Sequence, residues 1–150
     1  MKKRIIITGG NGQDGIILTK KLIKKKHVVY SFVNKKTFSK IKSVKYYNIN
    51  LLNSGLVSKT VNNIRPFAIV HLASKNNPTI KNKSMKKDLF YNKNLLITKN
   101  IINSIIKTDN KIKFIFAGSS LMFSKKKGKV NENSKFKANC YYSKYKIDAH

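Results

Sequence analysis

Tyr142 and Lys146 stand four residues apart, which puts them one helical turn apart on a single face. Together they can transfer a proton. An ammonium beside a phenol lowers the phenol pKa, so the oxygen can exchange a proton with a substrate hydroxyl while hydride moves from the same carbon. Ser119 offers a hydroxyl that could bond the same substrate oxygen. The spacing alone is weak, because 7 tyrosines in a chain with 33 Lys+Arg residues, all but Arg4 and Arg65 being lysine, give about one such match by chance. Position gives it weight: the pair follows a strand-like run, "KFIFAGSS" (Lys113 to Ser120), that carries Ser119 at its end.

The second stretch with chemical content is "TGGNGQDG" (Thr8 to Gly15). Arg4 to Thr8, before it, is an apolar run suited to a buried parallel strand. After it, Ile17, Leu18 and Leu22 recur at helical spacing, and Thr19 to Lys21 with Lys24 to Lys26 supply a polar face. A glycine turn between strand and helix allows close backbone approach to a pyrophosphate at the positive end of the helix dipole. Gly10, Gly12 and Gly15 fit a GxGxxG register, and Gly9, Gly12 and Gly15 fit TGxxGxxG. Both point to a dinucleotide.

The elements that must position these groups alternate along the chain. Strands are expected at His27–Val33, Ser43–Leu51, Phe67–Ala73 and Lys113–Ser120, and helices at Val57–Ile64 and Asn94–Ile106. This order implies an α/β fold, a Rossmann-like doubly wound parallel sheet, with ligands beyond the carboxyl ends of the strands. After the second strand no acid stands where a ribose 2′-hydroxyl would need one. Asn34, Lys35 and Lys36 suit a 2′-phosphate instead, favouring NADP, with NAD as the alternative. Asn50 and Leu51 end the third strand, where an amide could reach an adenine edge or simply make a turn. Leu72, Ala73 and Ser74 end the fourth, and the last two are small enough to admit a cofactor.

Composition bounds the rest. A chain of 150 residues, 41% of them hydrophobic, can bury the core of one domain. The formal net charge of +28 would attract polyanions. The lysines are nevertheless spread along the chain rather than gathered into a stripe, so no specific nucleic-acid partner is expected. "MKKRIII" breaks at Thr8-Gly9-Gly10, too early for a signal peptide, and no run is long enough to span a bilayer. Cys140 is the only cysteine, which fits a reducing cytoplasm and no membrane.

With these motifs the sequence resembles the extended short-chain dehydrogenases/reductases of the NAD(P)-dependent epimerase/dehydratase family, and within them the GDP-mannose 4,6-dehydratases. Those open with ITGxTGQDG, similar to ITGGNGQDG here, including Gln13 and Asp14. Their NLAAQS is similar to His71-Leu72-Ala73-Ser74-Lys75-Asn76, and their STSEMFG to Gly118 through Ser124. ETTPFYPRSPYAVAKLYAH aligns without a gap from Glu132 to His150, matching at Glu132, Phe136, Tyr142, Lys146, Ala149 and His150.

The resemblance implies catalytic Ser119, Tyr142 and Lys146 and a cofactor site of Gly9, Gly12, Gln13, Asp14, Gly15, Asn34, Lys35, Asn50, Leu51, Leu72, Ala73 and Ser74. It also implies bound NADP, a nucleotide-sugar substrate such as GDP-mannose, hydride transfer at sugar C4, and a homo-oligomer for a full-length form. Leu121 replaces the glutamate that drives elimination in that group, and Lys135, Ala138 and Tyr141 replace prolines. A nucleotide-sugar epimerase or reductase without dehydratase activity, and a non-catalytic NADP-binding fragment, are therefore the alternatives. The family carries a further carboxyl-terminal substrate region, so residues 1–150 are expected to be an incomplete NAD(P)-binding domain ending within the catalytic helix.

Overall fold

A computed structural model describes residues 1–34, 40–75, 86–123, 129–138 and 140–150. They form two compact units, Met1–Ser74 with Lys99–Ala117, and Lys75–Thr98 with Gly118–His150.

The first unit contains a parallel sheet of β1 (Arg4–Thr8), β2 (Val28–Val33), β3 (Lys45–Asn48), β4 (Ala68–His71) and β5 (Lys113–Phe116), in the order β3-β2-β1-β4-β5. This is the expected doubly wound arrangement, with β1 at the centre. Ile5, Ile6, Ile7 and Thr8 are all buried, as a strand covered on both faces requires. Ile5 and Ile7 point to one face, where Val29 and Val70 join them beneath Leu18, Leu22 and Ile23 of α1 (Gln13–Lys24). The edge strands behave differently. β3 and β5 are largely exposed, so their runs are shorter than apolar content alone suggests. β5 follows β4 only from Ala68↔Lys113 to His71↔Phe116, and a last bond from the Ala117 amide to the His71 carbonyl ends the pairing. The expected strand tails at Leu72–Ala73 and Ala117–Ser120 are loop, with a 3₁₀ turn beginning at Ser120.

The inward face of α1 also departs from expectation. Ile17 is 49% exposed, whereas Thr19, assigned by pattern to the polar face, is 1% exposed. Gly15 decides the helix rotation. It must lie against the glycine turn, and Thr19, one turn later, shares its stripe while Ile17 falls opposite.

Helix α2 (Ser54–Ile64) starts where the Asn53 side chain accepts a hydrogen bond from the Leu56 amide at 2.9 Å, and it buries Val57, Thr60, Val61 and Ile64. It stops at Arg65 in a left-handed conformation, just before Pro66. Helix α3 (Lys86–Thr108) is longer than the Asn94–Ile106 expected, because its first turns lack an apolar period. It begins in the second unit and ends in the first. The second unit also holds the 3₁₀ turn (Ser120–Met122) and α4 (Tyr141–Ala149).

Candidate functional site

The first unit places a glycine turn at the carboxyl end of β1, leading into α1. Gly9 has φ +70, and a Cβ there would lie 3.0 Å from the Ala73 backbone. Gly15 is constrained by space instead, since a Cβ would meet the Gly10 Cα and the Gly9 carbonyl at 2.6 Å. Gly12 is different. It is exposed, and a Cβ would meet only the Gly9 carbonyl, at 3.2 Å. Gly12 is also the N-cap of α1, and no side chain caps that helix. The opening helix amides of Gln13, Asp14 and Gly15 are thus left to an outside acceptor. This division of roles matches the TGxxGxxG register: Gly9 for the turn, Gly12 for close approach, Gly15 for helix packing. The cradle fits a dinucleotide pyrophosphate. Asp14 sits exposed in the first turn of α1, where its charge complements the dipole.

Two residues outside the expected set hold this turn in place. The Thr8 hydroxyl accepts from the Ala73 amide at 3.2 Å and lies 2.6 Å from His71 Nδ1. His71 is buried, with its ring between 5.8 and 6.1 Å from those of Phe116 and Phe114. Thr8 thereby fixes the loop at Ala73 beside Gly9. The Leu72 side chain packs on the core beneath, and Ser74 is half-buried. Asn34, after β2, is exposed, whereas Lys35 and Lys36 lie outside the described residues. The Asn50 side-chain Oδ1 accepts from the Leu52 amide at 3.1 Å, which is turn geometry and leaves its NH₂ pointing elsewhere. Leu51 is buried, and Asn100 donates to its carbonyl at 3.0 Å.

The second unit brings together the side-chain chemistry. Ser119 lies beyond the strand and caps the 3₁₀ turn, its Oγ accepting from the Leu121 amide at 3.2 Å. An oxygen used as an acceptor still has its own proton to donate. Met122, 3% exposed, anchors the turn by accepting from the Ser119 amide on Sδ. The Lys137 amide donates to the Met122 carbonyl at 2.8 Å, and the Phe123 and Phe136 rings pack at 5.3 Å. Leu121 is 42% exposed on this turn.

Helix α4 carries Tyr142 and Lys146. Cys140 caps it, with its Sγ accepting from the Ser143 amide at 3.5 Å. Tyr142 is half-buried, and Lys146 is 3% exposed with Nζ 5.5 Å from the centroid of the Tyr142 ring. Burial lowers the Lys146 pKa to about 8. Near neutral pH the side chain is still mostly an ammonium, but one that holds its proton loosely.

Sequence reasoning also missed the polar line behind α4. Asn94 binds the Lys75 backbone twice, accepting from its amide at 2.9 Å and donating to its carbonyl at 2.8 Å. Thr98 donates to the Asn94 carbonyl at 3.0 Å and meets the Tyr145 hydroxyl at 3.3 Å. The signal is present in the sequence, because Asn94, Thr98, Ile101 and Ile105 form one helical stripe, and a polar residue on a buried stripe needs a partner.

The chain belongs to the NAD-dependent epimerase/dehydratase family, whose sequence model matches residues 5–150. No curated protein matches the sequence. Among solved structures, the UDP-Glc/GlcNAc 4-epimerase of Campylobacter jejuni matches with TM-score 0.85 and 24% identity, over 98% of this chain and 46% of that one. UDP-glucose 4-epimerase of Thermus thermophilus, in complex with NAD, matches with TM-score 0.83 and 20% identity over 97% and 48%. UDP-glucose 4-epimerase of Thermotoga maritima, with UDP-glucose, gives TM-score 0.83 and 20% identity over 97% and 48%. At these identities the likeness is one of fold, and the chain spans about half the length of each structure.

Proposed function

We propose that this chain carries the cofactor-binding and proton-transfer parts of an enzyme that oxidises a nucleotide sugar at C4 with a nicotinamide dinucleotide, in the manner of an epimerase rather than by eliminating water. The observation that carries this choice is Leu121. It is exposed on the turn capped by Ser119, where the dehydratase pattern has a glutamate, and a hydrocarbon cannot move a proton. The matched structures that are named 4-epimerases support the same side. The dehydratase reading, with GDP-mannose as substrate, retains the support of Gln13-Asp14 and the Glu132–His150 pattern.

Gly9, Gly12 and Gly15, with the opening amides of α1, would hold the pyrophosphate, and Asn34 and Lys35 the 2′-phosphate of NADP. Asn50, Leu51, Leu72, Ala73 and Ser74 would border the adenosine half. When bound, the nicotinamide accepts the C4 hydride and gives it back. Tyr142 takes the C4 hydroxyl proton as that hydride departs and returns it when the hydride comes back. Lys146 stabilises the phenolate that takes this proton, and Ser119 donates a hydrogen bond to the same sugar oxygen. Cys140 as the only cysteine fits a cytoplasmic setting.

The test is spectroscopic. A full-length form containing these 150 residues is incubated with NADP⁺ or NAD⁺ and then with GDP-mannose or UDP-glucose, while nicotinamide absorbance is followed. Reduced cofactor with at least one pairing, faster with NADP⁺, is expected. Cofactor bound at the glycine turn but never reduced by either sugar would leave only the binding reading.

A further inference from the structure

The residue before Lys146 is unusual for its place. The dehydratase pattern puts a small alanine there, but this chain has Tyr145, which is fully buried. Lys146 lies near two rings, with Nζ 5.1 Å from the Tyr145 centroid and 5.5 Å from that of Tyr142. Both separations are within the range over which a ring face attracts a cation, and desolvation strengthens that attraction. The Tyr145 hydroxyl is directed to Thr98, which is itself tied through Asn94 to the Lys75 backbone.

We propose that Tyr145 is a positioning residue for Lys146, its ring face holding the buried ammonium near Tyr142 while its hydroxyl is anchored on Thr98. The proposal deepens the proton-transfer reading and rests on it for its functional meaning. The division of labour between two phenols on one helix follows from their surroundings. Burial raises the Tyr145 pKa, so it stays a neutral phenol and does not compete with half-buried Tyr142 as a base. The ring also accounts for how a lysine so fully enclosed keeps a charge near neutral pH. A hydrocarbon wall would desolvate the ammonium and give nothing back, whereas an aromatic face returns part of the lost interaction.

The experiment reads Lys146 directly and needs no turnover. Competitive acylation of the folded chain over a range of pH, with peptide mass mapping, gives a titration midpoint for each lysine. In the parent chain Lys146 is expected at about 8. Tyr145→Phe keeps the ring and should leave the midpoint in place. Tyr145→Leu keeps apolar bulk but removes the ring face, and the midpoint should fall by roughly half a unit to one unit. A Tyr145→Leu midpoint that stays put or rises, or a Tyr145→Phe shift as large as that of Tyr145→Leu, would overturn the proposal. Thr98→Val, which removes the hydroxyl anchor without touching α4, provides a variant to score if Tyr145→Leu does not fold, and should broaden or lower the Lys146 titration. An unchanged Lys146 titration in that variant would count against the anchor. Failure of the sugar-oxidation reading would show as absent cofactor reduction with these titrations intact, so the two can be told apart.

Discussion

The glycine turn of the first unit and the Ser119–Tyr142–Lys146 group of the second are built by opposite means. The turn is made of backbone: a Cβ at Gly15 is excluded by neighbouring main chain at 2.6 Å, and one at Gly9 would crowd the Ala73 backbone at 3.0 Å in a left-handed conformation, φ +70. The second group is made of side chains, and its character depends on what covers them. Burial pushes the Lys146 pKa down to about 8, and neither Tyr145 nor Met122 would draw notice from spacing alone. Backbone sites are thus written locally in sequence, whereas side-chain sites borrow their chemistry from distant residues.

The largest effect expected on the second region is loss of its proton carrier. Tyr142→Phe should reduce the rate of sugar-dependent cofactor reduction by about 10²–10⁴-fold while leaving NADPH affinity, measured by nucleotide fluorescence, within about twofold. An equal loss in both would merge the two regions into one functional element.

For the first region the expected sequence of effects separates fold from binding. Gly15→Val forces a Cβ to within 2.6 Å of the Gly10 Cα and the Gly9 carbonyl. It should cost about 1–3 kcal/mol in urea unfolding. Gly12→Leu would bring a Cβ to 3.2 Å from the Gly9 carbonyl alone and replace the N-cap of α1, so its stability cost should be smaller than that of Gly15→Val. NADP(H) binding should weaken at least tenfold, about 1.4 kcal/mol. If Gly12→Leu bound cofactor like the parent, the exposed amides of α1 would lose their assigned role.

A smaller, signed effect comes from Lys146. Its folded-state pKa of about 8 lies below the ordinary 10.5, so between those values the unfolded chain holds a proton that the folded chain has released. Stability relative to Lys146→Met should therefore rise with pH across that window and run parallel below it. The comparison with Lys146→Met removes the general relief of repulsion in a chain of net charge +28. Parallel curves throughout would show that the lysine is not enclosed in solution.

Legibility in the sequence follows the same division. β1, β2 and β4 are buried runs rich in β-branched residues, and their apolar runs place them within a residue or two of where they stand. The alternation of elements implies a parallel, doubly wound sheet, but the order β3-β2-β1-β4-β5 comes from the structure. The ends of β3 and β5 are not legible, because edge strands stop where their one neighbour stops. The rotation of α1 differs from its apolar pattern because Gly15, not the isoleucines, fixes it. Within the candidate site, the spacing of Gly9, Gly12 and Gly15 specifies its own geometry. Asn50 takes two readings from sequence, and its observed bond to Leu52 shows the turn, without excluding contact with adenine. The Thr8–His71 and Asn94–Lys75 links join residues 63 and 19 positions apart. Single-sequence patterning does not encode such pairs.

Leu121 decides between simple oxidation and elimination, and the direct measurement is the mass of the product. A full-length form containing this chain, with cofactor, is given excess GDP-mannose or UDP-glucose, and the recovered nucleotide sugar is weighed by mass spectrometry beside that from Leu121→Glu. The parent is expected to return sugar of unchanged mass where the hydride goes back, or a keto sugar two hydrogens lighter where its cofactor stays reduced, with no loss of water in either case. The glutamate variant should give more of a product lighter by one water, since a positioned acid/base contributes about 10²–10⁴-fold. Rapid loss of water by the parent would contradict the role given to Leu121 and place the elimination on another residue.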